Sequence, residues 1–162
     1  MRKIIALDPG TATTGYAVIF LKNKFTGPEL IEYGCIKTSP QQTLPQRLSV
    51  LAADLRSLIK KHRPQEMVVE KLFFAKNVKT GIAVGQARGV ILLLAGENRL
   101  LVAEYSPAEI KRAVTGYGQA PKKQIQNAVK KTLNLEKTPR SDDAADAIAA
   151  GLCHLQTNSQ LK

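Results

Sequence analysis

The sequence predicts an α/β fold, with helices on both faces of a mixed β-sheet of about five strands. Three observations support it. Short apolar runs closed by Pro or Gly recur early in the chain, as in IIALDPG at residues 4–10. Helical spacing then takes over, with Leu48, Leu51, Leu55, Leu58 and Ile59 on one stripe. The resulting order, β-β-β-α-β-α-β-α-α-α, packs helices against a sheet. At 162 residues the chain suffices for one domain with a proper core but not for two large lobes. The expected organisation is one domain over 1–156 and a short polar tail over 157–162.

Each element has a local reason. KIIAL (3–7), GYAVIF (15–20) and LIEYGCIKT (30–38) are strand-like and separated by the turn-rich DPGTATT and KNKFTGPE, which suggests an antiparallel three-stranded start. A helix from about Leu44 to His62 carries the leucine stripe, and EMVVE (66–70) is a short buried strand. A long helix follows, roughly Val78 to Asn98, and then the strand LLVAEY. Ser106, Pro107 and Glu109 spell the start of another helix: an N-cap, a proline at the first turn and a capping-box acid. After the two-glycine loop TGYGQAP, KKQIQNAVKKTLNL is amphipathic, and a last helix begins near SDDAADAIAAGLCHL and is expected to end at Gln156.

Composition narrows the function. The formal charge of +11 suits a polyanionic partner, nucleic acid before membrane. Aromatics make up 5% of the chain and Trp is absent, which excludes an extensive base-stacking platform. Cys35 and Cys153 form no CxxC and read as reduced, buried small hydrophobes; with only His62 and His154 beside them, a zinc site is improbable. The start MRKIIALDPG lacks a signal peptide's length and cleavage site, and GVILLLAG, bounded by Arg88 and Glu97, is too short to span a bilayer. A cytoplasmic protein with no membrane partner is expected.

Two predicted strands end on acids, Asp8 and Glu70, where α/β sheets commonly place their chemistry. Asp8 has a simpler reading as a turn cap accepting backbone N–H bonds. SDDAADA adds more acids. Its Ser-Asp-Asp is what a helix N-terminus favours, but Asp146 lies beyond the dipole-sensitive turn and shares a face with both Asp142 and Asp143. Spacing leaves open which of those two is its partner. Converging carboxylates repel one another unless a hard divalent cation lies between them, and Mg²⁺ takes such oxygen ligands together with substrate phosphate. In a chain this basic, the pattern points to metal-dependent cutting of nucleic acid.

At these residues the sequence resembles the RuvC family of bacterial Holliday junction resolvases. The segments that carry the likeness are ALDPGTATTGYAVI, VVEKLFFAKN, GQARGV, IKRAVTGYGQAPKKQIQ and DDAADAIA, in order from about Ile4 to Leu155. The resemblance implies an RNase H-like fold and a homodimer that nicks two opposed strands of a four-way DNA junction. It also implies Mg²⁺, two ions per subunit with Mn²⁺ able to substitute, and the RuvA–RuvB branch-migration complex as a partner. The family's acids fall on Asp8, Glu70, Asp143 and Asp146, which makes Asp142 an extra acid.

Candidate DNA contacts follow. Pro107–Arg140 holds eight Lys or Arg against two acids. Lys122 and Lys123 at a helix start oppose the dipole, so phosphate contact explains them better than helix stability; Lys111 joins Lys122 through the resemblance. Phe73, with Lys76 beside it, is implied to stack on unpaired bases, leaving Phe74 for the core. Gly81, Gly85 and Gly89 line one helix face beside Arg88, a costly choice explained by close approach of another element or of DNA backbone. That helix is also the candidate dimer surface, with Ala87 and Gly89 as positions to probe.

Three other functions are weighed. An actin-like ATPase or sugar kinase shares Asp-x-Gly-Thr but needs a second lobe and a second phosphate loop. A non-enzymatic basic DNA-binding protein leaves Asp8 and Glu70 without a reason. Another RNase H-like nuclease shares the acids but not the whole set of segments.

Overall fold

The computed structural model describes residues 2–23, 26–72 and 78–159. The elements are β1 (Arg2–Asp8), β2 (Thr13–Leu21), β3 (Pro28–Lys37), α1 (Leu44–His62), β4 (Glu66–Glu70), α2 (Val78–Glu97), β5 (Leu101–Tyr105), α3 (Pro107–Thr115), α4 (Lys122–Thr132) and α5 (Asp142–Ser159). The sheet runs β3-β2-β1-β4-β5. β1, β2 and β3 pair antiparallel, whereas β1–β4 and β4–β5 are parallel.

Alternation along the strands divides the interior into two cores. Ile4, Ala6, Ala17, Ile19 and Val68 face α3, α4 and α5. Ile5, Leu7, Val18, Met67 and Val69 face α1 and α2. β1 and β4 are thus covered on both sides, which is why they read as unbroken apolar runs.

α5 is the central helix of the first core, buried on nearly every side from Ala144 to Leu155. Small residues let it lie close to the sheet: a Cβ on Gly151 would stand 2.7 Å from Ile19 Cδ1. The helix runs past Gln156 to Ser159. Burial ends near Leu155, but the backbone ladder does not, and the Thr157 hydroxyl donates to the Cys153 carbonyl at 2.9 Å. At the far end of the sheet a polar cluster ties α5 down. Arg2 Nε and Nη2 donate to Glu66 at 2.7 and 2.6 Å, His154 Nε2 lies 2.6 Å from the same carboxylate, and the Tyr105 hydroxyl lies 2.9 Å from His154 Nδ1.

Several expectations change. Both cysteines are free, but only Cys153 is buried; Cys35 is half-buried because β3 is an edge strand, and its Sγ meets Ser141 Oγ at 3.0 Å. Ala87 faces inward and is fully buried against the second core, so a charge there would break the fold and not probe an interface. Among the described residues a Cβ on Gly85 would make only an ordinary contact with Leu72, and one on Gly89 would meet nothing within 4 Å, so close packing against those residues does not explain them. By length and composition α2 as a whole could cross a bilayer, yet Ala87, Ile91, Leu94 and Ala95 form part of the core.

Candidate active site

Parallel pairing sets Leu7 beside Val69, so Asp8 and Glu70 follow side by side at the carboxyl ends of β1 and β4. Ala6 and Val68, two residues earlier, belong to the α5 core, which turns both carboxylates toward that helix. The turn after Asp8 closes without it. Thr14, 2% exposed, donates its hydroxyl to the Gly10 carbonyl at 2.7 Å. Among the described residues no hydrogen bond reaches the Asp8 carboxylate, so it is not the turn's cap.

Two cavities meet at Glu70. One, of about 330 Å³, is lined by Asp8, Glu70, Lys71, Arg88 and Pro107. The other, of about 150 Å³, is lined by Glu70, Lys111, Lys122 and Asp146. Asp146 comes from the second turn of α5 and closes on Glu70 from above the sheet. Asp143 lies one turn earlier and lines neither cavity, but its charge acts on both Asp8 and Asp146.

What positions α5 is a glycine. A Cβ on Gly15 would stand 2.0 Å from the Asp143 carbonyl oxygen and 3.1 Å from the Ala144 nitrogen. Gly15 pairs directly with Asp8. The first turn of α5 therefore rests on the bare backbone next to Asp8, and only glycine permits it. Sequence reasoning missed this residue, because its Tyr-Ala-Val strand setting gives no local sign of a helix crossing above.

The carboxylates are electrostatically frustrated. Burial, followed by the charges of Glu70, Asp146 and Asp143, pushes Asp8 up to about 8. Burial and the charge of Asp146 push Glu70 up to about 7, and burial raises Asp146 as well. Lys122 and Lys111 pull the other way without prevailing. Among the described residues no three His, Cys, Asp or Glu side chains close to metal-ligand distance. The chemistry of the donor set nevertheless fits a hard divalent cation: it is all carboxylate, and it binds protons where a solvated acid would not.

The other predicted residues divide. Arg88 lines the Asp8–Glu70 cavity and pairs with Glu104 of β5, and its Nε is buried with no hydrogen-bond partner among the described residues. Lys111 and Lys122 line the Glu70–Asp146 cavity. Lys123, next on α4, is exposed and lines neither cavity. The extra acid Asp142 takes Lys122 Nζ at 3.1 Å and Gln126 Nε2 at 2.9 Å, joining α4 to α5. Phe73, Phe74 and Lys76 lie outside the described residues.

The shifts predict an unusual stability profile. Asp8 and Glu70 bind protons more tightly folded than unfolded, so their contribution to stability falls as pH rises from about 4 through about 8. Glu66 does the opposite: held at about 2, mainly by hydrogen bonding to Arg2, it loses its contribution as pH drops from 4.5 toward 2. In EDTA, the melting temperature is expected to rise as pH is lowered from 9 to about 5. Mg²⁺ should raise it most at pH 8–9, where it replaces the missing protons. A melting temperature that falls over that window, or ignores Mg²⁺ at pH 9, would contradict the picture.

Known proteins resemble this chain over nearly its whole length. The family model for crossover junction endodeoxyribonuclease RuvC matches residues 4–154. The chain is 48% identical over 157 residues to the RuvC of Desulforamulus reducens, covering 96% of this chain and 94% of that one. It is 50% identical over 151 residues to the RuvC of Petrotoga mobilis, covering 93% and 91%. Among solved structures it resembles T. thermophilus RuvC in complex with Holliday junction substrate, with a TM-score of 0.92, 29% identity and coverage of 99% and 96%.

Proposed function

This chain belongs to the RuvC family of crossover junction endodeoxyribonucleases, and from that premise we propose that it resolves four-way DNA junctions by paired, metal-dependent hydrolysis of two opposed strands. The observation that carries the reading is the meeting of Asp8, Glu70 and Asp146 around two adjoining cavities walled by Arg88, Lys111 and Lys122. Acids alone would suit any cation site, and cations alone any polyanion. Side by side, they suit a phosphodiester brought to divalent metal.

Asp8, Glu70, Asp143 and Asp146 are the residues that would hold the metal, Mg²⁺ with Mn²⁺ as a substitute and two ions in each subunit. When bound, it supplies an activated water and stabilises the leaving oxygen. The chain's own groups do the rest. Lys111 and Lys122 present ammonium donors on the Glu70 side of the cut, and Arg88, paired with Glu104, walls the other side with positive charge. Asp142 and Gln126 hold the long Lys122 side chain near its phosphate. Lys123, Phe73 and Lys76 are retained as further DNA contacts.

One chain offers one carboxylate cluster, whereas a four-way junction needs two cuts. A two-fold dimer matches the junction's own symmetry. An exposed apolar stripe on α2 supports the dimer: Val78, Ile82 and Leu93 are 67%, 55% and 59% exposed, with Gly89 between them. Such work on DNA belongs in the cytoplasm, with the RuvA–RuvB complex as partner.

The test is a synthetic four-way junction set against linear duplex of the same sequence, in Mg²⁺ and in EDTA. Paired nicks on opposed strands, only in the junction and only with metal, are expected, from a protein that sediments as a dimer at micromolar concentration. Equal cutting of duplex would favour another RNase H-like nuclease. Tight binding with no cutting would favour a non-enzymatic DNA-binding protein.

A further inference from the structure

A second, larger cavity, about 860 Å³, lies apart from the carboxylates, between β3 and the segment leading from α4 into α5. Lys37, Lys130, Lys137 and Arg140 line it, against the single acid Glu136. None of the four cations makes an ion pair or side-chain hydrogen bond among the described residues. Four like charges around one cavity repel one another, and a partner carrying a row of negative charges relieves them.

Register relates this groove to the cut. Asp8 pairs with Gly15, and Gly15 pairs with Cys35, so the three stand in one row across the sheet. Two strand spacings separate Cys35 from Asp8, about 10 Å. Cys35 lines the groove, and the first turn of α5 is the ridge between the two sites. Asp146 faces the carboxylate cavity on one flank of that ridge, whereas Ser141 and Ala144 line the groove on the other. At that separation one continuous nucleic-acid strand reaches both sites.

We propose that this groove binds the sugar–phosphate backbone of the same DNA strand as it runs on from the carboxylates, a clamp close beside the cut. It rests on the reading of the chain as a DNA junction nuclease. Lys37, Lys137 and Arg140 would each contact phosphate, fixing where along the strand the scissile bond lies.

The experiment uses the full chain with Lys37→Ala, Lys137→Ala and Arg140→Ala combined, three exposed positions away from the carboxylates. Junction affinity is measured in EDTA from about 50 to about 200 mM KCl, where each lost phosphate contact removes about 0.9 from the slope of log affinity against log salt. A slope shallower by two to three is expected for the triple variant, and by about one for Arg140→Ala alone. The control removes the same charge elsewhere, with Arg56→Ala, Lys60→Ala and Lys61→Ala on the exposed face of α1. Its slope should change by less than one unit. Equal slope changes in the two triples would overturn the groove, reducing it to a contribution of net charge, and so would an unchanged slope in the groove variants. Wild-type protein that neither binds nor cuts the junction would instead overturn the underlying reading, before any variant is compared.

Discussion

Asp8→Asn is expected to reduce junction cutting at saturating Mg²⁺ by about 10³-fold, since a metal's charge stabilisation in such a site is worth several kcal/mol. Junction binding should stay intact or tighten, because the basic surface is untouched and one negative charge is gone. A second readout separates this from structural damage. The Asp8 carboxyl is pushed up to about 8 by burial and by its acidic neighbours, so above that pH the folded protein carries a charge it poorly tolerates. The neutral amide removes that conflict, and the variant should melt higher than wild type in EDTA at pH 9 while losing activity. Glu70→Gln and Asp146→Asn should follow the same pattern. Asp142→Asn should be milder than Asp143→Asn, since Asp142 engages Lys122 and Gln126 and its amide keeps one acceptor oxygen. Near-native cutting by Asp8→Asn would remove Asp8 from the site, and equal losses at 142 and 143 would widen the acid set.

Gly15→Ala is expected to be nearly as damaging with no change of charge. The added methyl would lie 2.0 Å from the Asp143 carbonyl oxygen and 2.4 Å from its carbon, so backbone and not a flexible side chain must yield. Overpacking of this kind costs about 1–3 kcal/mol, and here the cost falls on the helix that carries two of the four acids. The variant should melt below wild type and cut at least about 100-fold more slowly at temperatures where it stays folded, because displacing reacting groups by about 1 Å is that costly. Gly96→Ala near the end of α2, where a Cβ meets nothing within 4 Å among the described residues, is the control and should leave melting unchanged or raised. Wild-type melting and cutting by Gly15→Ala would mean that α5 is not seated by this contact.

Much of the fold was readable because its signals are local. The bounds of α1 coincide with the expected Leu44–His62, where a leucine stripe runs between Thr43 and a left-handed Arg63. Ser106 and Glu109 form their capping box, and their reciprocal bonds involve only neighbours in sequence. Asp8 and Glu70 could be singled out because an acid closing a buried strand is conspicuous. The end of α5 was misjudged because polarity marks where burial stops, and backbone hydrogen bonds continue without it. The glycines of α2 misled in the same way: their spacing is local, but what lies opposite them is not.

By itself, then, the amino-acid sequence determined the order of strands and helices, the basic character of the protein and the acids available for chemistry. Periodicity, caps and charge are properties of neighbours along the chain. The tertiary structure decided what those acids do to one another. Parallel pairing of β1 with β4 sets Asp8 beside Glu70, and the seat of α5 on Gly15 brings Asp146 over them. Only at that closeness, and at that depth, does burial and mutual repulsion hold Asp8 and Glu70 near neutral pH. Asp142 and Asp143 are adjacent in sequence, yet one helix packing turns the first toward Lys122 and Gln126 and leaves the second acting on Asp8. Coulomb energy depends on distance and dielectric, and both are set by how the elements pack.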